Sequence, residues 1–553
     1  MGEPGDTEDR GLLITGARVY TADPARPWAE AIVTQGGRIV YVGGDAEARD
    51  QATARTEHIH IPGALVTPGL NDSHIHLFWG AGTFGMVNLE DAHTLPALRD
   101  TLRAYAAAYP SRPWIEGFGL PYEAFAGLTG PERLVLDEAV PDRPVYLRAY
   151  DWHTAWTNTI ALERAGIAHG ADLPPPNAVV VDPATGLATG LLKEKRAQDL
   201  IEQLIPVPSE QESDELLRRA MRHVNGFGVT SVQNMDGDAA RVAQYERLRA
   251  RDALTVRATH YLRVRADTPR GHFNAFAELA RAHASPAASW TRVRGIKLFI
   301  DGVVESNTAL MLEPYGLAGG MGVADIDPAL YRDIVVAADA LELAVATHAI
   351  GDQGVRLALD AYEAARRANG DRAARRLRVE HIEVVHPTDI PRFAHLGVVA
   401  SMQPLHAIVG DDPRTTPWTM MAGPEREPYA FAWRALLEVG ARLSFGSDWP
   451  IVTPDPRLGL YAAVTRRALN GAPPGGWQPQ QAVTLAQALD AYTRGAAYAE
   501  GQEGIKGMLR AGMAADLTVF ARDLFALAPA DIPAVDIALT VVDGRVVHQG
   551  GES

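Results

Sequence analysis

Two histidines separated by one residue, His74 and His76 in the segment NDSHIHL, have a type and spacing that indicate metal chemistry. Side chains two positions apart share one face of a β-strand, so both imidazoles would be available to one ion. The pair His58 and His60 in EHIHI has the same spacing. That pair lies in a segment that we interpret below as part of a terminal sheet, where we expect ordinary strand histidines. The position of each pair in the fold must therefore separate them.

Two further histidines each end an apolar run, His348 in LELAVATH and His381 in RLRVEH. A single histidine after a strand is commonly a packed core residue. These two follow successive strand-like runs, and parallel strands deliver their last side chains to the same end of a sheet. We therefore predict that both join His74 and His76 as metal ligands.

Lys297 lies inside the apolar run GIKLFIDG. Burial of an unpaired ammonium group costs several kcal/mol and depresses its pKa. One interpretation is an ion pair with Asp301 or Glu305. The other is a deprotonated lysine that has captured carbon dioxide as a carbamate, an anion that can bridge two divalent metals.

Asp448 follows the last strand-like run, in the segment RLSFGSDWP. A carboxylate at this place could hold a metal-bound water and accept its proton, which predicts the general base, and later the general acid, of a hydrolysis. The alternative is an aspartate that forms a turn before Pro450. The preceding histidines and Lys297, which also lie at strand ends, favour the catalytic interpretation.

The elements that would position these side chains alternate between strand and helix patterns. Eight strand-like runs recur along the chain: VTPGLNDSHIHL, GVTSVQNM, VRATHYLRV, GIKLFIDG, LAVATHAIG, LRVEHIEVV, GVVASMQPL and RLSFGSDWP. Such alternation predicts an α/β fold with a distorted (β/α)8 TIM barrel. Both chain ends are rich in short strands, and Asp543-Gly544 marks a hairpin. We expect a composite β-sandwich from 1–66 and 507–553, a metal-dependent barrel from 67–89 and 223–506, and an insertion or lid region at 90–222.

The insertion contains DWHTAWTN, which could bring polar and aromatic groups over the metal site. A helix cap and a packed tryptophan are the alternative for this segment. The residues for which we predict substrate-binding roles are His153, Trp156, Asn158, Glu194, Trp79 and Trp449. Aromatic residues beside the catalytic segments indicate an apolar or aromatic substrate, although aromatics there can equally be core residues. These residues are Phe78, Trp79, Trp152 and Trp449.

Composition narrows the function classes. The 553 residues carry a formal charge of −16 and contain no cysteine. The charge, without any Lys/Arg block, argues against nucleic acid and anionic membranes as partners. The lack of cysteine excludes disulfides, thiolate nucleophiles and Cys-ligated zinc. No apolar run is long enough to span a membrane, and the acidic N-terminus does not resemble a secretory signal, so we expect a cytoplasmic protein.

The series PGLNDSHIH, GIKLFIDG, ATHAIGD, RVEHIE and FGSDWP resembles the amidohydrolase superfamily, and within it the family-3 group that includes N-substituted formamide deformylases. The resemblance spans nearly the whole chain, including WIEGFGL, DWHTAWTN, TGLLKE and GMLRAGMAADLTV. It implies a fixed set of metal ligands, with Lys297 as the candidate bridging carbamate: His74, His76, Lys297, His348, His381 and Asp448. Some superfamily members use a bridging glutamate, which leaves Glu194 as a rival to Lys297.

The resemblance also implies the reaction. A metal-activated hydroxide would attack a carbonyl bonded to nitrogen in an amide, formamide or cyclic amide, with one or two divalent ions, zinc first among them. Asp448 would pass the proton to the leaving nitrogen, and His381 or His153 would stabilise the oxyanion. We expect a small-molecule substrate and a homodimer. Hydrolysis of an ester or phosphoester, deamination, C–C cleavage and a non-catalytic scaffold stay open as alternatives.

Overall fold

The structure is a computed structural model that describes residues 11–150, 152, 154–174, 177–284, 290–316, 319–372 and 374–551. The chain divides into two compact units. Met1–Leu77 and Met221–Ser553 form the larger unit, and Phe78–Ala220 form the smaller one.

The strands of the described residues, in chain order, are β1 (Gly11–Thr15), β2 (Arg18–Tyr20), β3 (Trp28–Ala29), β4 (Ala31–Gln35), β5 (Arg38–Gly43), β6 (Thr56–His60), β7 (Leu65–Pro68), β8 (Leu70–Ile75), β9 (Val87–Asn88), β10 (Ile115–Leu120), β11 (Val145–Ala149), β12 (Thr154–Thr157), β13 (Ala178–Val181), β14 (Ala188–Lys193), β15 (Val229–Gly237), β16 (Arg257–Arg263), β17 (Thr291–Phe299), β18 (Ala344–Ala349), β19 (Leu377–His381), β20 (Val399–Met402), β21 (Arg442–Phe445), β22 (Leu517–Phe520), β23 (Ile537–Val542) and β24 (Arg545–Gln549).

The α-helices of the same residues are α1 (Asp45–Gln51), α2 (Leu77–Thr83), α3 (Leu95–Ala108), α4 (Arg133–Ala139), α5 (Thr159–Arg164), α6 (Glu194–Glu202), α7 (Glu210–Gly226), α8 (Ala239–Ala250), α9 (His272–Ala282), α10 (Pro328–Ala340), α11 (Asp352–Asn369), α12 (Ile390–Leu396), α13 (Pro417–Ala422), α14 (Trp433–Glu438), α15 (Pro456–Thr465), α16 (Leu485–Asp490) and α17 (Ala496–Ala499). Among the described helices, none combines the length and the apolar character needed to cross a lipid bilayer.

Eight parallel strands of the larger unit form the barrel, in the order β8, β15, β16, β17, β18, β19, β20 and β21. Each coincides with one of the eight runs predicted from the sequence, and helices follow most of them. The first and last strands meet through two backbone hydrogen bonds. The amide of Asp448 donates to the carbonyl of His74 at 2.7 Å, and the amide of His76 donates to that of Trp449 at 2.9 Å. The prediction of a distorted (β/α)8 barrel is confirmed, and the bonds that complete it join the segments that carry the predicted ligands.

Both chain ends contribute to a two-layer sandwich in the larger unit. One sheet has the order β5-β4-β1-β6, and the other, β24-β23-β22-β7-β2-β3, mixes strands from the two ends. Apolar side chains of both sheets form one shared core. The Asp543-Gly544 hairpin between β23 and β24 has φ of 55° and 72°, the positive values that such a turn requires. His58 and His60 lie exposed on β6 and both contact the hydroxyl of Thr15, as expected for ordinary strand histidines.

The smaller unit contains a six-stranded mixed sheet of order β13-β14-β12-β11-β10-β9. Its apolar side chains pack with α3 and α4 in one core and with α5 and α6 in another. The sequence analysis did not predict this sheet. An insertion after the first barrel strand is therefore a folded unit with its own core.

Candidate metal centre

The predicted ligands lie at the carboxyl ends of five barrel strands. His74 is on β8 and His76 immediately follows it, Lys297 is on β17, His348 is on β18, His381 ends β19, and Asp448 follows β21. This end of the barrel is where parallel strands of a TIM barrel deliver side chains to a common site.

The carboxylate of Asp448 lies between the two histidines of the first strand. Its Oδ1 is 3.1 Å from Nε2 of His76 and 3.4 Å from Nε2 of His74. Burial would raise the pKa of Asp448, but the two imidazoles hold it well below its usual range. Its φ of 63° lies in the left-handed region, which aspartate tolerates better than most residues. The turn after β21 therefore presents an ionised carboxylate to both histidines.

His381 and His348 stand beside this group. The ring of His381 is 4.8 Å from that of His74 and 4.4 Å from that of His348, measured between centroids. Burial lowers the pKa of His381 well below its usual value and that of His348 to about 3. Both imidazoles are therefore neutral, the form in which histidine binds metal. Nε2 of His348 lies 3.2 Å from the carbonyl of Gly302, so this nitrogen faces the loop after β17.

Three buried side chains fit a divalent cation together. One donor atom each from His74, His381 and Asp448 lies within 4.8 Å of the others. Within the described part of the chain, Oδ1 of Asp448 and Nδ1 of His381 are buried and have no hydrogen-bond partner. Buried polar atoms without a partner are costly, and a shared cation would satisfy them. Two neutral imidazoles and one carboxylate match the donor set of a zinc-type site.

Lys297 points into this group. Its Nζ is fully buried, 3.4 Å from Nε2 of His74 and 4.9 Å from the centroid of the Phe299 ring. Burial lowers the pKa of the amine to about 8. Among the described residues no carboxylate lies within ion-pair distance of Nζ, and Asp301 instead accepts hydrogen bonds from three backbone amides. The alternative of an ion pair with Asp301 or Glu305 is therefore wrong for this structure.

A buried ion pair, which the sequence analysis did not anticipate, holds His74. Nδ1 of His74 donates to Oε2 of Glu380 at 2.7 Å, and Arg378 donates to both oxygens of the same carboxylate at 2.5 and 3.0 Å. Burial alone would raise the pKa of Glu380, but Arg378 lowers it far below its usual value. An ionised carboxylate can only accept, so Nδ1 of His74 carries the proton and its Nε2 lone pair stays free for a metal. The signal available in the sequence was a glutamate and an arginine inside the strand run LRVEH.

A second group, also missed, adjoins the first. His381, Glu383 and His406 offer three donor atoms within 4.8 Å of one another. The indole of Trp418 donates to Oε2 of Glu383 at 2.7 Å and holds that carboxylate. His406 lies on the short helical turn Pro404–Ile408 beyond β20, the seventh strand, so its local signal was weaker than that of His348 and His381. A histidine therefore also stands after β20, one of the three barrel strands to which the sequence analysis assigned no functional residue.

The predicted substrate-binding residues have structural contacts of their own. In the smaller unit, Trp156 packs against Tyr122 and Phe125, and Asn158 caps α5 through Ala161. The alternative of a helix cap and a packed tryptophan accounts for these contacts.

The other predicted contacts are placed as follows. Trp79 packs on Trp152, Glu194 begins α6, and Trp449 packs on His223 in the larger unit. His153 lies outside the described residues. Substrate contact by all these residues stays a prediction.

The family model described as "Amidohydrolase family" matches residues 60–548. This chain belongs to the amidohydrolase family. The match covers the whole barrel and, of the sandwich, β7 and β22 to β24, and it confirms the resemblance seen in the ligand motifs.

Full-length relatives and solved structures agree with the assignment. Protein LONG AFTER FAR-RED 3 of Arabidopsis thaliana is 30% identical, over 97% of this chain and 91% of its own length. N-substituted formamide deformylase of Arthrobacter pascens is 29% identical, over 98% and 99%. A crystal structure of an uncharacterized metal-dependent hydrolase from Pyrococcus furiosus is 26% identical, with a TM-score of 0.73 over 93% of this chain and 99% of that one. Together with the family, these relatives support a metal-dependent hydrolase.

Proposed function

We propose that this protein hydrolyses a carbon–nitrogen bond of the amide, formamide or cyclic amide type in a small molecule. The observation that carries the proposal is the buried cluster of His74, His381 and Asp448, which offer one donor atom each within 4.8 Å of one another. The relative named N-substituted formamide deformylase supports the choice of bond.

His74, His76, His381 and Asp448 would hold the metal, with His348 beside them. A bound divalent ion of the zinc type supplies water of lowered pKa and polarises a carbonyl oxygen. Glu380 keeps the proton on Nδ1 of His74 and so reserves Nε2 for the ion. Burial keeps His348 and His381 neutral, so neither competes with the ion by carrying a proton.

Asp448 is the residue that moves the proton. Its carboxylate is ionised, because His74 and His76 hold its pKa low, and its Oδ1 has no hydrogen-bond partner among the described residues. It can therefore accept a proton from water and return it to the departing nitrogen, which needs a proton to leave as an amine. His406 lies 4.0 Å from Oδ2 of Asp448 through its Nε2, where it can orient the carboxylate or the carbonyl oxygen of a substrate.

Lys297 would serve as a carbamate. The neutral amine attacks the carbon of carbon dioxide, a C–N bond forms, and the nitrogen releases a proton to solvent, which leaves a carboxylate at the end of the side chain. A pKa of about 8 gives a usable neutral fraction near neutral pH, and no carboxylate in the described residues pairs with Nζ. The variant Lys297→Ala should lose metal and activity, and a short carboxylate such as acetate or propionate should partly restore both. Intact metal occupancy in this variant, with a loss in Glu194→Gln, would move the bridge to Glu194.

The proposed reaction is tested by a substrate screen. The zinc-loaded protein is assayed with N-substituted formamides, N-acyl amino acids, lactams and aryl esters, with the Asp448→Asn variant as the matched negative control. We expect turnover of an amide-type compound that falls by at least about a hundredfold in the variant. Turnover of esters alone would contradict C–N cleavage. Failure to retain stoichiometric metal after reconstitution would favour the scaffold alternative.

A further inference from the structure

A cavity of about 400 Å³ lies in the larger unit, lined by the start of β17, the end of α9, the start of β18 and the segment before β19. Six arginines line it: Arg281, Arg292, Arg294, Arg372, Arg375 and Arg376. Two carboxylates, Asp339 and Glu342, line it as well, so its wall carries a net charge of +4. The whole chain carries −16. The positive charge of the cavity wall is therefore opposite in sign to the net charge of the chain.

Only two of the six arginines form ion pairs with carboxylates of the described residues. Arg375 makes a two-pronged ion pair with Asp339 at 2.8 and 2.9 Å, and Arg376 pairs with Glu503 at 2.5 Å. The other four make no ion pair with any described residue. Of these, Arg292 and Arg294 donate to the carbonyls of Glu500 and Ala374, which carry no net charge. The cavity is therefore lined by guanidinium groups that form no ion pair with a described residue.

Arg294 is placed by a β-bulge. Val293 pairs with His260 and Gly295 pairs with Tyr261, so Arg294 is the extra residue of β17 with no partner on β16. Bulges at barrel rims re-aim a side chain. The Nε of Arg294 is buried and donates to no acceptor among the described residues. Burial and the charge of Arg292 lower the pKa of Arg294, so the structure bears a cost to keep this cation here.

We propose that this cavity binds a small molecule that carries one or more phosphate groups, at a site separate from the metal centre. Planar guanidinium groups match phosphate oxygens in paired hydrogen bonds, and several arginines around one cavity favour a multiply charged anion. The volume falls within the range of small-ligand pockets and admits a ligand up to the size of a nucleotide.

The cavity and the predicted metal ligands lie at opposite ends of β17 and β18. Arg292 and Arg294 are near the amino end of β17, and Ala344 is the first residue of β18. Lys297 and His348 are near the carboxyl ends of the same strands. A ligand in the cavity thus contacts the opposite ends of two strands that carry predicted ligands.

The test is a calorimetric titration of the purified full-length protein with pyrophosphate, ADP and citrate. Arg294→Met removes the bulge cation, and Arg281→Gln removes an exposed cation at the end of α9 that has no ion pair in the described part of the chain. Arg522→Gln is the matched control, since it makes the same change in charge at an exposed arginine away from the cavity. Circular dichroism and the melting temperature establish that each variant is folded. If Arg294→Met does not fold, Arg281→Gln against Arg522→Gln decides.

We expect saturable binding of pyrophosphate or ADP that weakens about tenfold or more in Arg294→Met, by several-fold in Arg281→Gln, and not in Arg522→Gln. The same titration on Asp448→Asn should give unchanged affinity. The proposal would be overturned if neither phosphate compound bound saturably up to about 10 mM, a scale weaker than ordinary metabolite affinities. It would also be overturned if the cavity variants left binding unchanged while Asp448→Asn abolished it. Equal affinity for citrate would likewise overturn it, because the site would then be one for polycarboxylates.

Discussion

Replacement of Glu380 by glutamine tests how the barrel prepares His74 for a metal. The substitution keeps the shape of the side chain but removes the charge that accepts Nδ1–H of His74 at 2.7 Å and pairs with Arg378. Loss of a partner that orients a ligating histidine typically costs 10–100-fold in metal affinity, about 1.4–2.7 kcal/mol. The same change leaves the Arg378 guanidinium buried without its counter-charge, which costs about 3–5 kcal/mol of stability. Glu380→Gln should therefore lose both affinity and stability.

Glu500 supplies the matched control. It is a buried carboxylate of the same unit that accepts from Asn71 at 2.7 Å and pairs with Lys506 at 2.9 Å, without touching His74. Glu500→Gln should thus lose a similar amount of stability, about 3–5 kcal/mol, and keep its metal affinity within about twofold. The assays are urea unfolding and zinc titration against a competing chelator, at a temperature where both variants are folded. Equal zinc affinity in Glu380→Gln and the wild type, or equal losses in both variants, would refute the role assigned to Glu380.

Further predictions concern the lysine, the smaller unit and the metal. Lys297→Met should raise the free energy of unfolding of the metal-free protein at pH 7 by about 3 kcal/mol, since burial lowers the lysine pKa from 10.5 to about 8. Below pH 8 the amine is charged in both the folded and the unfolded state, and between pH 8 and 10.5 only the unfolded state keeps the proton. The stability of the wild type should therefore rise with pH in that window, and the stability of Lys297→Met should not. Asn158→Ala should destabilise the protein by about 2–4 kcal/mol in urea unfolding, because Oδ1 accepts from the amides of Val145 and Ala161 and Nδ2 donates to the carbonyl of Arg143; unchanged stability would contradict the cap. Chelation should lower the melting temperature by several degrees and zinc should restore it, since ligand binding stabilises the folded state by about 3–4 kcal/mol at 100–1,000 times Kd; an unchanged melting temperature would mean that no metal is held.

The barrel was predictable because its evidence is local. Each of the eight strands is a short apolar run, and the predicted ligands stand at the ends of such runs, as Lys297, His348 and His381 do. The Asp543-Gly544 hairpin was equally local, since both residues need positive φ.

The parts that were missed depend on partners distant in the chain. Glu380 and Arg378 look like polar interruptions of a strand until the fold places His74, 306 residues away, against the carboxylate. The sheet of the smaller unit was not predicted, because strands such as β9, with two residues, and β12, with four, are too short to show an alternation of apolar and polar residues. His406 lies on the short helical turn Pro404–Ile408 beyond β20, whereas His348 and His381 lie at the ends of their strands, so its local signal was weaker. The arginine cavity arises from four separate stretches of chain and from a bulge, neither of which has a pattern in the sequence.

Anomalous diffraction at the zinc absorption edge, from crystals of the zinc-loaded protein, can locate the cation that His74, His381 and Asp448 are proposed to hold. We expect a strong peak about 2.0–2.2 Å from a nitrogen of each imidazole and from an oxygen of Asp448. Zinc located elsewhere, with no peak between these three side chains, would contradict the proposal.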